Sequence, residues 1–329
     1  MRNVYLIVSL LYIFVLFPGC GNRREVTVPY TIDSLGLMHL PVTIAGEEFG
    51  FIFDTGSDRG MLNYRIMQKY GISPATKSRT NIYTYGGPFN DTIYQANKEF
   101  SIGGLRFDSA SFDLDHYNRS FGLEAMIGED YNGILGVKEI QTKNWLFNLK
   151  KRRVTISDKA IDEGRIDGSL SLCLDINPDS MVTYTNVLLN DSLKVPFLFD
   201  TGQVGYIKLD GGDVKYCWQV GIMMQDSLCR LLRQVIPMKG FLRLLSEMKM
   251  NDLSLDTLSV AVAEEKIAIF YPGIPLKYPN AIGRPFLNNF DFMLYDKNRK
   301  QIRLYGYRAD NQGEKDFLKA RQQNKSNNP

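Results

Sequence analysis

The sequence predicts an all-β fold made of two similar lobes, with few short helices. A short apolar run enters Asp-Thr-Gly at Asp54, and the same arrangement recurs at Asp200, 146 positions later. Residues 133–136 and 280–283, two short runs that end in Gly, repeat at an offset of 147. Short β-prone runs separated by turn residues fill both halves of the chain. Landmarks at a near-constant offset indicate duplication of a whole unit.

The strands that precede each Asp-Thr-Gly follow the same plan. Residues 27–32 and 40–44 are β-prone runs, and the turn at residues 45–48 leads into the first Asp-Thr-Gly strand. Two β-prone runs joined by a short Gly-containing turn are typical of a hairpin. Residues 182–189 and 195–199 repeat this arrangement before the second copy. We therefore expect one hairpin in front of each Asp.

Further along each half, the pattern predicts another matched unit and only two helices. Residues 100–107 and 248–255 both read as strand, turn and strand, at an offset of 148. Residues 64–70 and the longer segment 214–233 place apolar residues near helical spacing. The prediction is therefore a β-rich chain with a short helix in the first half and a longer one in the second.

The N-terminus has the features of a targeting segment. Arg2 gives a positive start, residues 4–17 are almost wholly apolar, and polar residues follow Cys20. The apolar run is short for a bilayer span, so a cleaved signal is predicted. A small residue before Cys at the end of the run resembles the lipobox of bacterial lipoproteins, which implies a lipidated Cys20 that anchors the protein to a membrane. A plain secretory peptide cut near Gly19 is the alternative.

This resemblance implies a place in the cell envelope of a bacterium. The lipid would hold the protein at a membrane, with the outer membrane and its periplasmic or surface face as the expected location. Little sequence separates Cys20 from the first strand near residue 25. We therefore expect no activation by removal of a long propeptide.

The chain is long enough for about two hydrophobic cores, with 329 residues of which 44% are hydrophobic. Residues 157–171 carry Asp, Glu, Gly and Lys with little apolar content, so the lobe boundary is placed there. The last residues are rich in Gln, Asn, Lys and Glu, and we expect them to be disordered. The predicted segments are a lipoprotein signal peptide (1–20), an N-terminal lobe (25–160), a C-terminal lobe (168–308) and a polar tail (309–329).

Composition argues against several classes of function. The formal charge is only +3 and no basic stretch is interleaved with aromatic residues, so no nucleic-acid partner is expected. His39 and His116 are the only histidines and lie far apart in sequence, which weakens any Ser-His, Cys-His or histidine metal site. The sequence contains no glycine loop for phosphates or dinucleotides, and we expect no cofactor.

The sequence leaves two smaller questions open. Cys217 and Cys229 could form a disulfide in an exported protein, or they and Cys173 could be buried small apolar residues. An acidic cluster could bind a metal ion, although a solvated strand edge and loop is the simpler interpretation, and we predict no metal. The residues of that cluster are Asp113, Asp115, His116, Glu124 and Asp130.

Two Asp-Thr-Gly loops that meet would have a chemistry that a single loop lacks. Gly lets one loop approach the other closely, Thr supplies a hydroxyl to tie the loops, and Ser57 could hydrogen-bond the outer oxygen of Asp54. Two adjacent carboxyl groups cannot both ionise easily, so they share one proton. The ionised one can take a proton from water and the neutral one can stabilise an oxyanion. The candidate residues are the catalytic pair Asp54 and Asp200, with dyad support from Thr55, Gly56, Ser57, Thr201, Gly202 and Gln203.

These doubled loops resemble those of the pepsin and retropepsin-like aspartic proteases. The resemblance extends from about residue 26 to residue 307 and implies the two-lobed acid protease β-barrel fold and the activity of an aspartic-type endopeptidase. It implies a dyad of Asp54 and Asp200, gripped by Thr55 and Thr201. The implied substrate is a peptide or protein in extended conformation, and a single chain with two lobes implies a monomer.

Two further elements of the family have counterparts in this sequence. The family places a strand ending in Gly beneath each catalytic loop, and Leu135-Gly136 and Ile282-Gly283 fit that position. Tyr85-Gly86 lies at the tip of a predicted hairpin, where pepsin-like enzymes carry the flap that closes over the substrate. An ordinary hairpin with a surface Tyr is the alternative interpretation.

The sequence also departs from the family pattern. Gln203 stands where a small or hydroxyl residue usually follows the second Asp-Thr-Gly, and its amide could support Asp200 or its bulk could perturb the dyad. Asp58 could pair with its neighbour Arg59 or with Arg284 of the other lobe, and the sequence does not decide between them. Because of Gln203, a catalytically silent peptide-binding lipoprotein that uses the same cleft is the alternative function.

Overall fold

The computed structural model describes residues 24–33, 35–84, 87–115, 131–189, 193–203, 207–209, 224–225, 240–263 and 280–308. The described part is mostly β-strand, as the sequence predicts. Several predicted features lie outside the described residues. They are the signal peptide with Cys20, the flap tip Tyr85-Gly86, the cysteines Cys217 and Cys229, and the tail 309–329.

The strands follow one another along the chain as two similar series. The first series is β1 (Glu25–Pro29), β2 (Thr31–Ile32), β3 (Met38–Ile44), β4 (Glu47–Phe53), β5 (Met61–Asn63), β6 (Thr76–Thr84), β7 (Gly87–Ile102), β8 (Leu105–Asp115), β9 (Gly133–Leu135), β10 (Asn144–Asn148) and β11 (Arg153–Ser157). The second is β12 (Leu170–Asp175), β13 (Tyr184–Leu189), β14 (Leu193–Asp200), β15 (Ile207–Leu209), β16 (Met224–Gln225), β17 (Gly240–Met250), β18 (Leu253–Ala263), β19 (Asn280–Gly283), β20 (Phe292–Asp296) and β21 (Gln301–Tyr305).

The described helices are short. Two α-helices span Tyr64–Lys69 and Val137–Ile140, and two 3-10 helices span Glu163–Arg165 and Arg284–Asn289. The first lies where the sequence predicts a helix, and the Asn63 side chain caps it by accepting a 2.8 Å hydrogen bond from the N–H of Arg65. Within the described ranges, no helix is long and apolar enough to cross a membrane.

Two closed barrels of the same topology form the two halves. In the first, β3, β4, β9, β5, β8 and β7 are neighbours in that order, and a β3–β7 pairing closes the ring. In the second, β13, β14, β19, β15, β18 and β17 follow the same order, and β13 pairs with β17. The repeat found in the sequence is therefore confirmed as a repeat of strand pairing. The turns after β7 and β17 also fall where the matched strand–turn–strand units predict them.

The predicted helix over residues 214–233 is wrong at its described residues. Met224 and Gln225 form strand β16, which pairs antiparallel with Leu245 and Leu244 of β17. Backbone hydrogen bonds to a long neighbouring strand outweigh a weak helical pattern of apolar residues. The remainder of that segment lies outside the described residues.

A third sheet joins the two halves. Its strand order is β1-β11-β10-β20-β21-β12, so each half contributes three strands. The two central strands are antiparallel, with Trp145 opposite Tyr295. The segment between β11 and β12 is the one in which the lobe boundary is predicted. Its Glu163 carboxylate accepts hydrogen bonds from Arg303 Nη1 (2.7 Å) and the Tyr305 hydroxyl (2.8 Å) of β21.

Alternation along β4 explains how the first barrel is filled. Phe51 and Phe53 are completely buried in the barrel, whereas Ile52 points to the other face and packs in a small cluster with Leu37 and Ile134. The Phe53 ring meets the ring of Trp145 edge to face, with centroids 5.1 Å apart. Since Trp145 belongs to the joining sheet, this contact ties β4 to that sheet.

The alternative of an acidic metal cluster finds no support in the described residues. Asp113 and Asp115 lie in β8, while His116, Glu124 and Asp130 fall outside the described ranges. Asp113 instead accepts a 2.8 Å hydrogen bond from Gln95 Nε2. No group of three or more His, Cys, Asp or Glu side chains suited to a metal ion occurs in the part of the chain that the structure describes.

We predict that Trp145→Ala lowers the free energy of unfolding by about 3–5 kcal/mol. The indole is fully buried and its N–H donates a 2.7 Å hydrogen bond to the Ile140 carbonyl, so the substitution leaves a cavity and an unpaired acceptor. Chemical denaturation measures the change. Leu170→Ala is the control, because Leu170 is 44% exposed, and its effect should stay within about 0.5 kcal/mol. Equal effects would contradict the packing described here.

Candidate active site

Two strand-to-loop junctions bring Asp54 and Asp200 to the same place. Asp54 follows β4, which pairs in parallel with β9, and its N–H donates a 3.0 Å hydrogen bond to Leu135 O. Asp200 ends β14, which pairs in parallel with β19, and lies opposite Gly283. Each Asp is therefore supported by the Gly-ending strand that the sequence predicts beneath it.

The threonines of the two loops form reciprocal hydrogen bonds that link the two halves. The N–H of Thr55 donates to Thr201 Oγ1, and the N–H of Thr201 donates to Thr55 Oγ1, both at 3.1 Å. The Thr55 hydroxyl donates to Phe199 O (2.5 Å), and the Thr201 hydroxyl donates to Phe53 O (2.6 Å). Both side chains are buried, so water does not compete for these bonds. The four bonds hold the two loops in register.

Gly56 and Gly202 allow each carboxyl group to lie against the opposite loop. A Cβ atom on Gly56 would stand 2.3 Å from Asp200 Cγ, and a Cβ atom on Gly202 would stand 2.4 Å from Asp54 Cγ. Real Cβ atoms do not approach so closely. Glycine is therefore required at both positions by the space available, and not by an unusual backbone conformation.

The two carboxyl groups are hydrogen-bonded to each other. Backbone donors also reach them: the N–H of Gly56 donates to Asp54 Oδ1 (2.8 Å) and the N–H of Gly202 to Asp200 Oδ1 (2.9 Å). Two buried carboxyl groups in such contact share one proton more readily than both ionise. This is the geometry of a carboxyl dyad.

Burial raises the pKa of both carboxyl groups, but to different extents. Burial and the negative charge of Asp54 raise the pKa of Asp200 well above its usual range. Burial also raises the pKa of Asp54, while the N–H of Gly56 and the hydrogen bond from Asp200 oppose that rise. The two groups therefore titrate as a pair that retains a proton above the usual aspartate range.

The support from Ser57 differs from the expectation. Its hydroxyl donates to Arg59 O at 2.8 Å, so the single proton of that hydroxyl is not available to Asp54. The N–H of Ser57 reaches the Asp54 carboxylate instead and lowers its pKa. The expected side-chain bond is thus wrong, and the support comes from the backbone.

Gln203 is buried, and its backbone N–H and carbonyl group support the second loop. It is 4% exposed, and its N–H lies against the Asp200 carboxyl group and lowers the pKa of that group. Its carbonyl accepts a 3.1 Å hydrogen bond from the N–H of Arg284. The matching bond in the first half joins the N–H of Val137 to Ser57 O at 2.8 Å. Gln203 therefore occupies the same backbone position as Ser57.

The charged residues after Ser57 form a local group. Arg59 Nε donates to Asp58 Oδ2 at 3.0 Å, and Arg59 Nη1 lies 3.5 Å from Asp113 Oδ1. The structure thus pairs Asp58 with its neighbour, and Arg284 is buried elsewhere, beside Tyr30 and Asp33.

Sequence reasoning missed a buried carboxyl group behind the first loop. Glu139 is 4% exposed and accepts hydrogen bonds from the N–H groups of Gly136 (3.1 Å) and Gly60. It connects the segment after Asp54 to the strand beneath it. Its counterpart by position in the second half is Phe286, so the internal repeat does not reveal it. An acidic residue three positions after a strand-ending Gly is the only signal in the sequence.

Tyr184 was also missed, and it lies close to the dyad. It stands opposite Leu198 in the β13–β14 hairpin, where His39 stands opposite Ile52 in the β3–β4 hairpin. Burial and the charge of Asp200 raise the pKa of its phenol. The equivalence of Tyr184 and His39 is visible only in the strand register, because Tyr and His are chemically different residues.

We predict that Gly56→Ala and Gly202→Ala each lower the free energy of unfolding by about 1–3 kcal/mol, because the added methyl group overlaps a carboxyl group of the opposite loop. Chemical denaturation measures the loss. Gly50→Ala is the matched control, since a Cβ atom there meets His39 at an ordinary 3.6 Å. Tolerance of Ala at both loop positions would contradict the close approach.

We predict that Glu139 makes the protein less stable as pH rises. Burial raises the pKa of its carboxyl group from 4.5 to about 7, so its stabilising effect is complete below pH 4.5 and is lost as pH rises through 7. Glu139→Gln stays neutral throughout. The variant should therefore gain about 2–3 kcal/mol on the wild type between pH 5 and pH 8. Chemical denaturation at both pH values tests this, with the exposed Glu99→Gln as control. Parallel pH profiles for wild type and Glu139→Gln would refute it.

Comparison with known proteins agrees with this geometry. Residues 40–138 match the family model described as aspartyl protease. The match begins in β3, contains the first Asp-Thr-Gly loop and ends in the helix Val137–Ile140. No curated protein matches the chain. Residues 40–138 are therefore similar to an aspartyl protease domain, and the chain is an all-β protein consistent with the pepsin and retropepsin-like aspartic protease family.

Proposed function

We propose that the protein is an aspartic-type endopeptidase that hydrolyses peptide bonds with a water molecule activated by Asp54 and Asp200. The observation that carries the proposal is the mutual hydrogen bond of two buried carboxyl groups, delivered by loops with the same backbone support. The aspartyl protease match over residues 40–138 supports it independently.

The dyad assigns different parts of the reaction to the two carboxyl groups. Asp54, ionised, takes a proton from water as the water oxygen bonds to the peptide carbonyl carbon. Asp200, protonated, donates a hydrogen bond to the carbonyl oxygen and stabilises the negative charge that develops there. The proton that Asp54 took from water then passes to the amide nitrogen, and the carbon–nitrogen bond breaks. The products, a carboxylic acid and an amine, leave the site.

The substrate and the flap are part of the same proposal. An extended peptide lying between the two barrels would present its carbonyl to the dyad. Strands β6 and β7 pair from Thr76 opposite Gln95 to Thr84 opposite Gly87, which supports a hairpin with Tyr85 and Gly86 at its tip. We propose that these two residues form a flap over the peptide.

The location is proposed from the N-terminal sequence alone. We propose that Cys20 is lipidated and anchors the protein, as a monomer, in the bacterial cell envelope. Residue 25 begins the first strand, so the tether between lipid and fold would be only about five residues, or roughly 17 Å when extended.

We predict that Asp54→Asn and Asp200→Asn each reduce cleavage of an unfolded, fluorescently labelled protein by about 10²–10⁴-fold, because each variant removes one partner in the proton transfers. Asp108→Asn, at an exposed position of β8, is the matched control and should cleave normally. Unchanged cleavage in both dyad variants would end the dyad hypothesis.

The pH profile of the wild type is a second readout of that experiment. Cleavage should rise as the Asp54–Asp200 pair loses its first proton and fall as the pair loses its second, giving a bell-shaped profile. Because the pKa of both groups is raised, both limbs should lie above the usual aspartate range. Peptide binding without cleavage at any pH would favour the silent peptide-binding lipoprotein, with Gln203 as the first position to replace by Ser.

A further inference from the structure

Polar side chains join the first Asp-Thr-Gly loop to the hairpin of β6 and β7. Ser57 Oγ donates to Arg59 O at 2.8 Å, and Arg59 Nη1 lies 3.5 Å from Asp113 Oδ1. Gln95 Nε2 donates to the same Asp113 oxygen at 2.8 Å, and Thr76 Oγ1 donates to Gln95 Oε1 at 3.2 Å. These contacts form one continuous path from the loop, across β8 and β7, to the first residue of β6.

Asp113 and Gln95 lie where this hairpin leaves the first barrel. The two residues stand opposite each other in the β7–β8 pairing, and the next pair, Tyr94 opposite Leu114, is the last one toward the hairpin tip. Beyond it, residues 87–93 of β7 pair with β6 alone in the described part of the chain. The direction of the hairpin is therefore set at its root, where the polar path crosses it.

The backbone holds the loop end of the path in a fixed position. The N–H of Asp113 donates to Gly60 O at 2.9 Å, and Asp113 stands opposite Met61 in the parallel pairing of β8 with β5. On the other side, a Cβ atom on Gly136 would stand 2.3 Å from Arg59 C. The backbone before β5 is thus enclosed between β8 and the segment that follows β9, so the Arg59 side chain starts from a fixed place.

The side chains on this path are partly shielded from water. Asp113 is 16% exposed and Arg59 is 28% exposed. Burial raises the pKa of Asp113, while the hydrogen bond from Gln95 and the charge of Arg59 oppose that rise. Arg59 Nε also donates to Asp58, so the planar guanidinium contacts two carboxylates at once. Water can replace a lost partner only in part here, so each donor to Asp113 contributes to the path.

The second half keeps the strand pairing but not the chemistry of this path. Val260 stands opposite the first residue of β15, as Asp113 stands opposite the first residue of β5. Arg243 stands opposite Val260, as Gln95 stands opposite Asp113. A valine side chain cannot accept a hydrogen bond, so the link through Asp113 is not a requirement of the barrel. It belongs to the half whose hairpin is proposed to cover a peptide.

We propose that Arg59, Asp113 and Gln95 are positioning residues that tie the root of the β6–β7 hairpin to the first Asp-Thr-Gly loop and align the hairpin with the dyad for peptide binding. The inference rests on the proposed function, since only a protein that binds a peptide at the dyad needs this alignment. The three residues act through the hairpin and not on the reacting atoms. Loss of one contact leaves the backbone pairing intact but frees the hairpin to change its angle to the loop.

Hydrogen exchange of the full chain, without peptide, tests the tie directly. In Gln95→Leu and in Arg59→Met, the backbone amides of the hairpin should exchange about threefold to tenfold faster than in the wild type, because Asp113 loses a partner. Gln301→Leu is the matched control. Gln301 Nε2 donates to Asp175 across β21 and β12 at 2.9 Å, which is the same chemistry in the joining sheet. This control should leave the exchange of the hairpin amides unchanged.

Kinetics with the labelled protein substrate tests the consequence for binding. Gln95→Leu and Arg59→Met should each raise KM about threefold to tenfold with little change in kcat, because the hairpin contributes equally to binding of the substrate and of the transition state. Arg59→Lys keeps the charge but not the planar fork, so it should recover part of the loss. Both single variants break the same path, so the double variant should differ little from the more affected single variant.

Four results would overturn the proposal. The first is hairpin exchange in Gln95→Leu and Arg59→Met that equals exchange in the wild type. The second is an equal rise of exchange in β10 and β20, which would reflect a general loss of stability. The third is a lower kcat at unchanged KM, and the fourth is full additivity in the double variant.

Failure of the proposed function would look different. Unchanged cleavage in Asp54→Asn and Asp200→Asn would end the dyad hypothesis and, with it, the role of the hairpin in peptide cleavage. Hydrogen exchange without peptide would still decide whether the tie exists.

Discussion

The reciprocal hydrogen bonds between Thr55 and Thr201 are the interaction on which the rest of the site depends. They are the contacts through which each Asp-Thr-Gly loop fixes the other, since each hydroxyl accepts from the opposite threonine and donates to the strand that precedes the opposite loop. With the loops fixed, the carboxyl groups must lie against Gly56 and Gly202, where larger residues would not fit. The raised pKa values of the dyad follow from that forced proximity together with burial.

Two-fold repetition explains the dyad but not everything around it. Three features of the site have a counterpart in each half. They are the Gly-ending strand beneath each Asp, the turn after Gly136 or Gly283, and the hydrogen bond accepted by the carbonyl of Ser57 or Gln203. The residues that follow these turns are not paired in chemistry. The first half places the buried carboxyl group of Glu139 there, whereas the second places the buried cation Arg284. The two loops therefore share a backbone frame but rest on supports of different charge and pH response.

Much of the fold could be predicted because duplication doubles each signal. The hairpins before each Asp, the helix near Tyr64 and the Gly-ending strands all follow from patterns that recur or are strongly periodic. The dyad geometry could be predicted for the same reason, because each residue of Asp-Thr-Gly has a clear role where two loops meet. Asp supplies the carboxyl group, Thr supplies a hydroxyl that ties the loops, and Gly allows their close approach.

The misses share a physical cause, which is that sequence patterns do not reveal tertiary partners. Met224 pairs with Leu245 in a neighbouring strand, and no local pattern announces that strand. The Ser57 hydroxyl donates to the Arg59 carbonyl and not to Asp54, because the local backbone places that carbonyl within reach. The sequence also could not show which carboxylate lies near Arg284, because that depends on the tertiary fold. The nearby carboxylate is that of Asp33, which accepts hydrogen bonds from other groups.

The joining sheet has a consequence for how the chain reaches its folded state. Strand β10 has β11 on one side and β20 on the other, and β20 lies almost 150 residues further along the chain. Until β20 exists, β10 is an open sheet edge that can recruit any extended strand, including β10 of another copy. The first half is thus a half-finished sheet with a self-complementary edge during synthesis. Joining both halves in one polypeptide ensures that the strand covering that edge is always present in equal amount.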